Sequence, residues 1–327
     1  MRRLPSLRRQ GLPGSALLLV AVCVIASVAA AASAYVVATD APDPVPPGLT
    51  FVHTGGYATR YQAWGAPSAH PVVLVHGALE SVATWRPVAR ILAPGVHVEA
   101  YDLEGYGYTD HVGPYTVESL ATQLADFLAA RHLTHPVLVG HSLGAGVIAR
   151  FVLDHPGAAA GVVFVDGDGL SVRYPGTWVP GHVPEPFRTA AYRAVVRNRA
   201  VVSTIFGLAC GPGCPTLTPA QTDEVQRPLL VSGAEQALLA YASRPVVGVT
   251  PGELVHVRSP DLAAAVVFGA EDEEYTRSAP YVTATRIGAP APVIVPGCGH
   301  LSLWSHPRQV AAVVAALSAR VSAGPPT

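Results

Sequence analysis

Apolar residues in this chain are distributed in two ways. Residues 16–38 form one uncharged apolar stretch, whereas beyond residue 48 the apolar positions break into short runs between glycines, prolines and charged residues. The long stretch has the length of a bilayer-crossing helix. Short runs at 49–53, 59–64, 136–139, 161–165, 262–268 and 292–295 read as strands, several of them uniformly apolar as in a sheet covered on both faces. Residues 145–154 have the composition of a helix that stops at His155-Pro156, and 301–304 opens a helix near the C-terminus. Between 169 and 260 the pattern changes to helical patches, including 186–198 and 218–243, separated by proline- and glycine-rich turns.

Length and composition fit one large α/β domain with an insertion, behind a membrane segment. The chain has 327 residues, of which 50% are hydrophobic and 13% charged, well below the usual share of about a quarter for charged residues. A net charge of −1 argues against a nucleic-acid-binding surface. None of the 13 histidines falls in a metal-ligand spacing, so no metal is expected.

Arg2, Arg3, Arg8 and Arg9 precede the apolar stretch, which places the following chain outside the cytoplasm. The length favours an uncleaved anchor spanning residues 1–39; the competing reading is a signal peptide cleaved after Ala34, with a secreted product. Cys23 reads as a thiol embedded in that stretch. Residues 40–48, rich in proline, read as a stiff spacer that holds the domain off the bilayer. Cys210 and Cys214 bracket Gly211-Pro212-Gly213, and outside the cytoplasm they are expected to form a disulfide. Cys298 is left without a partner and is assigned no chemistry.

The strand-like run 136–139 leads into Gly140-His141-Ser142-Leu143-Gly144, and a helix follows. A serine on a sharp turn between a strand and a helix is a nucleophile elbow. The flanking glycines remove Cβ atoms that would clash, and the new helix aims its first N–H groups at a reacting carbonyl oxygen. A serine hydroxyl is a poor nucleophile until a base takes its proton, and the base needs an acid to orient it. Two later runs end in suitable groups, Gly269-Ala270-Glu271-Asp272 and Pro296-Gly297-Cys298-Gly299-His300. In a parallel sheet both lie on the edge that carries Ser142.

These residues, with His76-Gly77 after the run 72–75 and Asp102-Leu103-Glu104-Gly105-Tyr106-Gly107, give the chain its resemblance to the α/β-hydrolase superfamily, esterase/lipase-like branch. The resemblance covers most of 49–320. It implies a mostly parallel sheet flanked by helices, with a first core part at 49–168, a helical lid at 169–260, a second core part at 261–320 and a flexible tail at 321–327. It further implies Ser142 as nucleophile, His300 as base and Asp272 as acid, with Glu271 next in line and Asp166 or Asp168 as a rarer acid position. The oxyanion hole would be formed by the N–H groups of Ala78 and Leu143, and no cofactor would be needed.

The expected reaction is hydrolysis of a small, apolar carboxylic ester through an acyl-enzyme. Rivals on the same fold are carbon–carbon bond hydrolysis, cofactor-free peroxidation and a non-catalytic extracytoplasmic binding role. An aspartate at the serine position would instead mark epoxide hydrolases and haloalkane dehalogenases. His76 and His141 read as structural histidines near the strand edge, Trp85 as packing, and Glu104 and Tyr106 as either near the site or on a surface loop. Trp178, Phe187, Tyr192, Phe206 and Tyr241 are the aromatics that would fill the lid core or line an acyl pocket.

Overall fold

The computed structural model describes residues 14–171, 183–243 and 248–323. Trp178 and the four N-terminal arginines lie outside them. The core is an eight-stranded sheet in the order β1-β2-β4-β3-β5-β6-β7-β8. Its strands are β1 Thr50–Thr54, β2 Tyr57–Trp64, β3 Pro71–Val75, β4 His97–Tyr101, β5 Val137–His141, β6 Gly161–Val165, β7 Ala263–Gly269 and β8 Val293–Val295. β2 runs antiparallel to both β1 and β4, and every other neighbouring pair is parallel.

The uniformly apolar runs become central strands because both faces are covered. Side chains alternate across the sheet with a period of two. Val72, Leu74, Val137, Val139, Val163 and Val165 therefore pack on one face with Val82, Trp85 and Val88 of α2 (Val82–Leu92) and Val310, Val314 and Leu317 of the C-terminal helix Pro307–Ser322. Val73, Val75, Leu138, Val162 and Phe164 face the other way. They meet Leu120, Leu124 and Phe127 of α3 (Val117–Arg131) and Ile148 and Phe151 of α4 (Leu143–Asp154). Trp85 is fully buried in α2, as expected of a packing residue.

Between β6 and β7 the chain forms α5 Glu185–Val196, α6 Arg199–Cys210, α7 Pro219–Gln226, α8 Ala234–Ala242 and α9 Pro251–Leu254. The helical stretch expected over 218–243 is in fact two helices. A 3-10 turn at Arg227–Leu229 carries Pro228, and Gly233 at φ +85° separates it from α8. Likewise 186–198 ends early, because Asn198 caps α6 by accepting hydrogen bonds from the N–H groups of Ala200 and Val201. Helices α10 Ala279–Ile287, α11 Ser302–Ser305 and α12 Pro307–Ser322 complete the core.

The N-terminal helix α1, Gly14–Ala38, includes a 21-residue segment, Leu18–Ala38, that is long and apolar enough to cross a membrane. The proline-rich segment after it is not free along its length. Asp43 bridges to Val231 in the segment between β6 and β7, its N–H donating to Leu230 O at 2.8 Å.

Candidate active site

Parallel pairing brings the carboxyl ends of β3, β5, β6, β7 and β8 to one edge of the sheet, the edge where ligands meet such sheets. Ser142 follows β5 and immediately precedes α4, with φ +50° and ψ −116°. The helix thus starts at Leu143, two residues earlier than its composition suggests. The glycines around it are required by close approach. A Cβ on Gly140 would meet the carbonyl oxygen of Gly144 at 2.4 Å, and one on Gly144 would meet that of Val75 at 2.3 Å.

Ser142 Oγ lies 3.0 Å from His300 Nε2, and His300 Nδ1 lies 2.9 Å from Asp272 Oδ2. The carboxylate can only accept, so Nδ1 carries the proton and Nε2 presents its lone pair to the serine hydroxyl. Asp272 is itself oriented through Oδ1, which accepts the N–H of Glu274 at 3.0 Å. Burial opposes charge on His300, but the hydrogen bond and charge of Asp272, with a contribution from Glu274, hold its pKa above the ordinary histidine value. The ring of Tyr275 lies roughly parallel to that of His300, with centroids 5.9 Å apart.

The other acids suggested by the sequence are occupied elsewhere. Glu271 is tied to the loop before His300, where its carboxylate accepts the N–H of Cys298 at 2.8 Å. Asp166 accepts from Gly269 N at 2.8 Å and from Ser302 N at 2.9 Å, which stitches the ends of β6 and β7 to the start of α11. Burial pushes its pKa up to about 6, against the pull of His141, His300 and Ser302. Asp168 accepts the N–H of Leu170 in its own turn.

Ala78 follows the His76-Gly77 pair and is exposed, while Leu143 opens α4. The first N–H groups of a helix have no partner within it. Among the described residues no hydrogen bond from the N–H of Ala78 is present. His76 is structural: its Nε2 accepts the N–H of Leu103 at 2.9 Å and its Nδ1 donates to Gly77 O at 2.8 Å.

Glu80 was not apparent from sequence, and it ties this loop together. Its Oε2 accepts from Gly77 N at 3.2 Å and from Thr84 Oγ1 at 2.9 Å, and its Oε1 lies 2.7 Å from His141 Nδ1. Nothing in the sequence separates this glutamate from a solvated loop acid. Glu104 and Tyr106 are both buried. Glu104 accepts the N–H groups of Val112 and Gly113, and Tyr106 stacks on Tyr241 with ring centroids 4.6 Å apart. Tyr241 also donates to Glu104 O, which fixes α8 over this loop.

Cys210 and Cys214 form the expected disulfide. Cys298 is buried beside Ser305, and burial pushes its thiol up to about 12, so it stays protonated. Of the remaining aromatics, Phe206 packs edge-on to Trp304, and Tyr192 donates to Leu229 O.

Residues 72–313 match the alpha/beta hydrolase family. Over 125 residues the chain is 36% identical to a 2-hydroxy-6-oxo-2,4-heptadienoate hydrolase of Pseudomonas putida, covering 37% of this chain and 45% of that one. A serine hydrolase involved in carbazole degradation superposes with a TM-score of 0.69 at 24% identity, covering 83% of this chain and 98% of that one. For an esterase from Thermogutta terrifontis the TM-score is 0.67 at 20% identity, over 84% and 98% of the two chains. The chain spans less than half the length of the curated relatives it matches. With the match running from residue 72 to residue 313, well over half of the chain, and the sheet order in place, the chain belongs to the alpha/beta hydrolase family.

Proposed function

We propose that the protein is a serine hydrolase that cleaves carboxylic esters through an acyl-enzyme on Ser142. The observation that carries this reading is the unbroken hydrogen-bonded chain from Ser142 Oγ through His300 to Asp272. In the first half-reaction Ser142 Oγ attacks the ester carbonyl while His300 Nε2 takes the hydroxyl proton. That proton then passes to the leaving alkoxide as the carbon–oxygen bond of the ester breaks, which releases the alcohol. Water repeats the attack: His300 takes its proton and returns it to Ser142 Oγ, and the carboxylic acid leaves. Asp272 stays ionised and stabilises the imidazolium in both halves.

The N–H groups of Ala78 and Leu143 are assigned to the oxyanion, where each donor is worth about 3–4 kcal/mol in comparable sites. The segment 169–260 is assigned as a lid. The helix Gly14–Ala38 is assigned as an uncleaved anchor, with the catalytic domain outside the cytoplasm.

A second reading draws on the Pseudomonas putida relative, whose name states hydrolysis of 2-hydroxy-6-oxo-2,4-heptadienoate. The same serine and histidine would serve a carbon–carbon cleavage. A fluorophosphonate probe, run on wild type and Ser142→Ala, tests the nucleophile. Stoichiometric labelling that disappears in the variant is expected, and no labelling of folded wild type overturns the assignment. An ester panel set against a vinylogous β-diketone then separates the two chemistries.

A further inference from the structure

Helix α1 does not stand clear of the domain. Ala29, Ala32 and Val36, with Thr39 just past the helix end, are half-buried at spacings of three, four and three, which makes one stripe, and α1 packs against α5. Two guanidinium groups from α5 and its C-terminal cap satisfy the end of α1. Arg193 Nη1 donates to Val36 O at 2.6 Å and Nη2 donates to Asp40 Oδ1 at 3.0 Å, while its Nε is paired with Glu235. Arg197 Nη2 donates to Thr39 O at 2.9 Å and to Ala41 O at 2.7 Å. Carbonyls at a helix C-terminus lack intrahelical donors, and cations are favoured there.

Length sets the depth of this contact. A bilayer core needs about 20 apolar helical residues, and Leu18–Ala38 supplies 21. Nearly all of that segment is required, including the part packed on α5. Residues 18–28, which precede the stripe, would cover roughly 16 Å at 1.5 Å per residue, about half of the hydrocarbon core. Helix α5 therefore lies beside the outer half of the span rather than above it.

The composition of α5 and α6 suits that position. Apart from Glu185, the exposed first residue of α5, no acidic residue occurs in either helix. The exposed positions of the two helices include Ala191, Ala194, Val195, Ile205 and Leu208, the last at 78% exposure. Arginines at the ends of such helices reach toward water or headgroups while their stems stay in apolar surroundings.

We propose that α5 and α6 lie in the outer leaflet of the membrane that holds α1, and that the ester cleaved at Ser142 is a lipid-borne acyl ester taken from that leaflet. The partner is the lipid surface, and the substrate assignment rests on the serine-hydrolase reading above. The same helix reaches the site: Ala209 O accepts the N–H of His300 at 2.8 Å and Cys210 O accepts that of Gly299 at 3.0 Å. One end of α6 thus meets the base loop while its exposed apolar residues face the leaflet.

The full chain in phosphatidylcholine vesicles tests this, with a nitroxide on Leu208→Cys in a Cys23→Ser background and on Ile91→Cys as a water-exposed reference on α2. The label at 208 is expected to be more accessible to oxygen than to a nickel chelate, with the reverse at 91. Equal chelate access at both positions overturns the lipid contact. In a second measurement, the double variant Ile205→Asp/Leu208→Asp is compared with wild type on 4-nitrophenyl palmitate in the vesicles and on 4-nitrophenyl acetate in water. The ratio of the two turnovers is expected to fall at least about tenfold, as the loss of two apolar side chains from lipid implies; an unchanged ratio overturns the substrate assignment. Fluorophosphonate labelling of the same vesicles separates the failures. If Ser142 labels but position 208 is wet, the membrane inference fails alone, and if Ser142 does not label, the serine-hydrolase reading fails.

Discussion

The side chain of His141 holds the backbone of His300: its Nε2 lies 2.7 Å from the carbonyl oxygen of His300, across 159 positions of sequence. Its other nitrogen, Nδ1, faces Glu80 Oε1 at 2.7 Å, a close ion pair rather than a straight hydrogen bond. Both nitrogens meet acceptors, so the ring is an imidazolium. Burial opposes that charge, but Glu80 outweighs it and lifts His141 to about 9, while His141 and the hydrogen bonds to Glu80 bring the latter down to about 2. The loop bearing Ala78, the serine turn and the base loop are therefore joined through one buried ion pair.

His141→Ala is expected to lower kcat by about 10²-fold with little change in KM, because it loosens the loop that aims His300 without touching substrate. A pH profile distinguishes this from general damage. The raised pKa of His141 contributes stability that is complete below 6.5 and is lost as pH rises through about 9. Wild type should therefore show an alkaline decline near pH 9 in both kcat and melting temperature, and the variant should lack it. An identical alkaline limb in the variant would sink the assignment.

On the proposed mechanism the acid side of the profile belongs to His300. Only its neutral form accepts the serine proton, and its pKa lies above the ordinary histidine value. kcat/KM should therefore rise with pH through a midpoint above 6.5. Asp272→Asn should cost about 10⁴-fold in kcat, since an amide no longer enforces the Nδ1–H tautomer. Activity kept within an order of magnitude would mean that another group orients the histidine.

Removing Glu80 leaves a charged histidine buried without its partner. Glu80→Ala is expected to lower unfolding stability by about 3–5 kcal/mol at pH 7. The double variant Glu80→Ala/His141→Leu should recover much of this in a urea-unfolding cycle. The carboxylate is held below its ordinary pKa, so its contribution is complete above about 4.5 and is lost as pH falls toward about 2. Additive single and double effects would contradict the coupling.

What could be read from sequence was what has a fixed local signature. Ser142 lies in five consecutive residues whose glycines answer a backbone clash, and Asp272 and His300 sit just past apolar runs. Asp166 was legible only as a strand-end acid. Its partners Gly269 and Ser302 are more than 100 residues away, so nothing local distinguishes a buried stitch from a catalytic acid. Glu80, Arg193 and Arg197 escaped notice for the same reason, because an isolated charge shows its partner only once the chain is folded. The proline content of the segment after α1 suggests an extended spacer, but docking of Asp43 on Val231 depends on a surface 188 positions away.

The Cys210–Cys214 turn is pressed against the same base loop, with Gly213 N donating to Gly297 O at 2.9 Å beside the two bonds from Gly299 and His300 to the end of α6. So short a loop contributes only about 2 kcal/mol through chain entropy, and the larger effect of the disulfide should be local. Treatment with a thiol reductant is expected to lower kcat and the rate of fluorophosphonate labelling several-fold while the melting temperature falls by only about 2–4 °C. Cys210→Ser/Cys214→Ser should behave like the reduced protein and ignore the reductant. The buried, protonated Cys298 gives the reductant no second target, since it is already a thiol. If activity declines only in step with the unfolded fraction, the turn supports the fold and not the aim of His300. If it declines in protein that is still folded, the staple in the segment between β6 and β7 holds His300 in place.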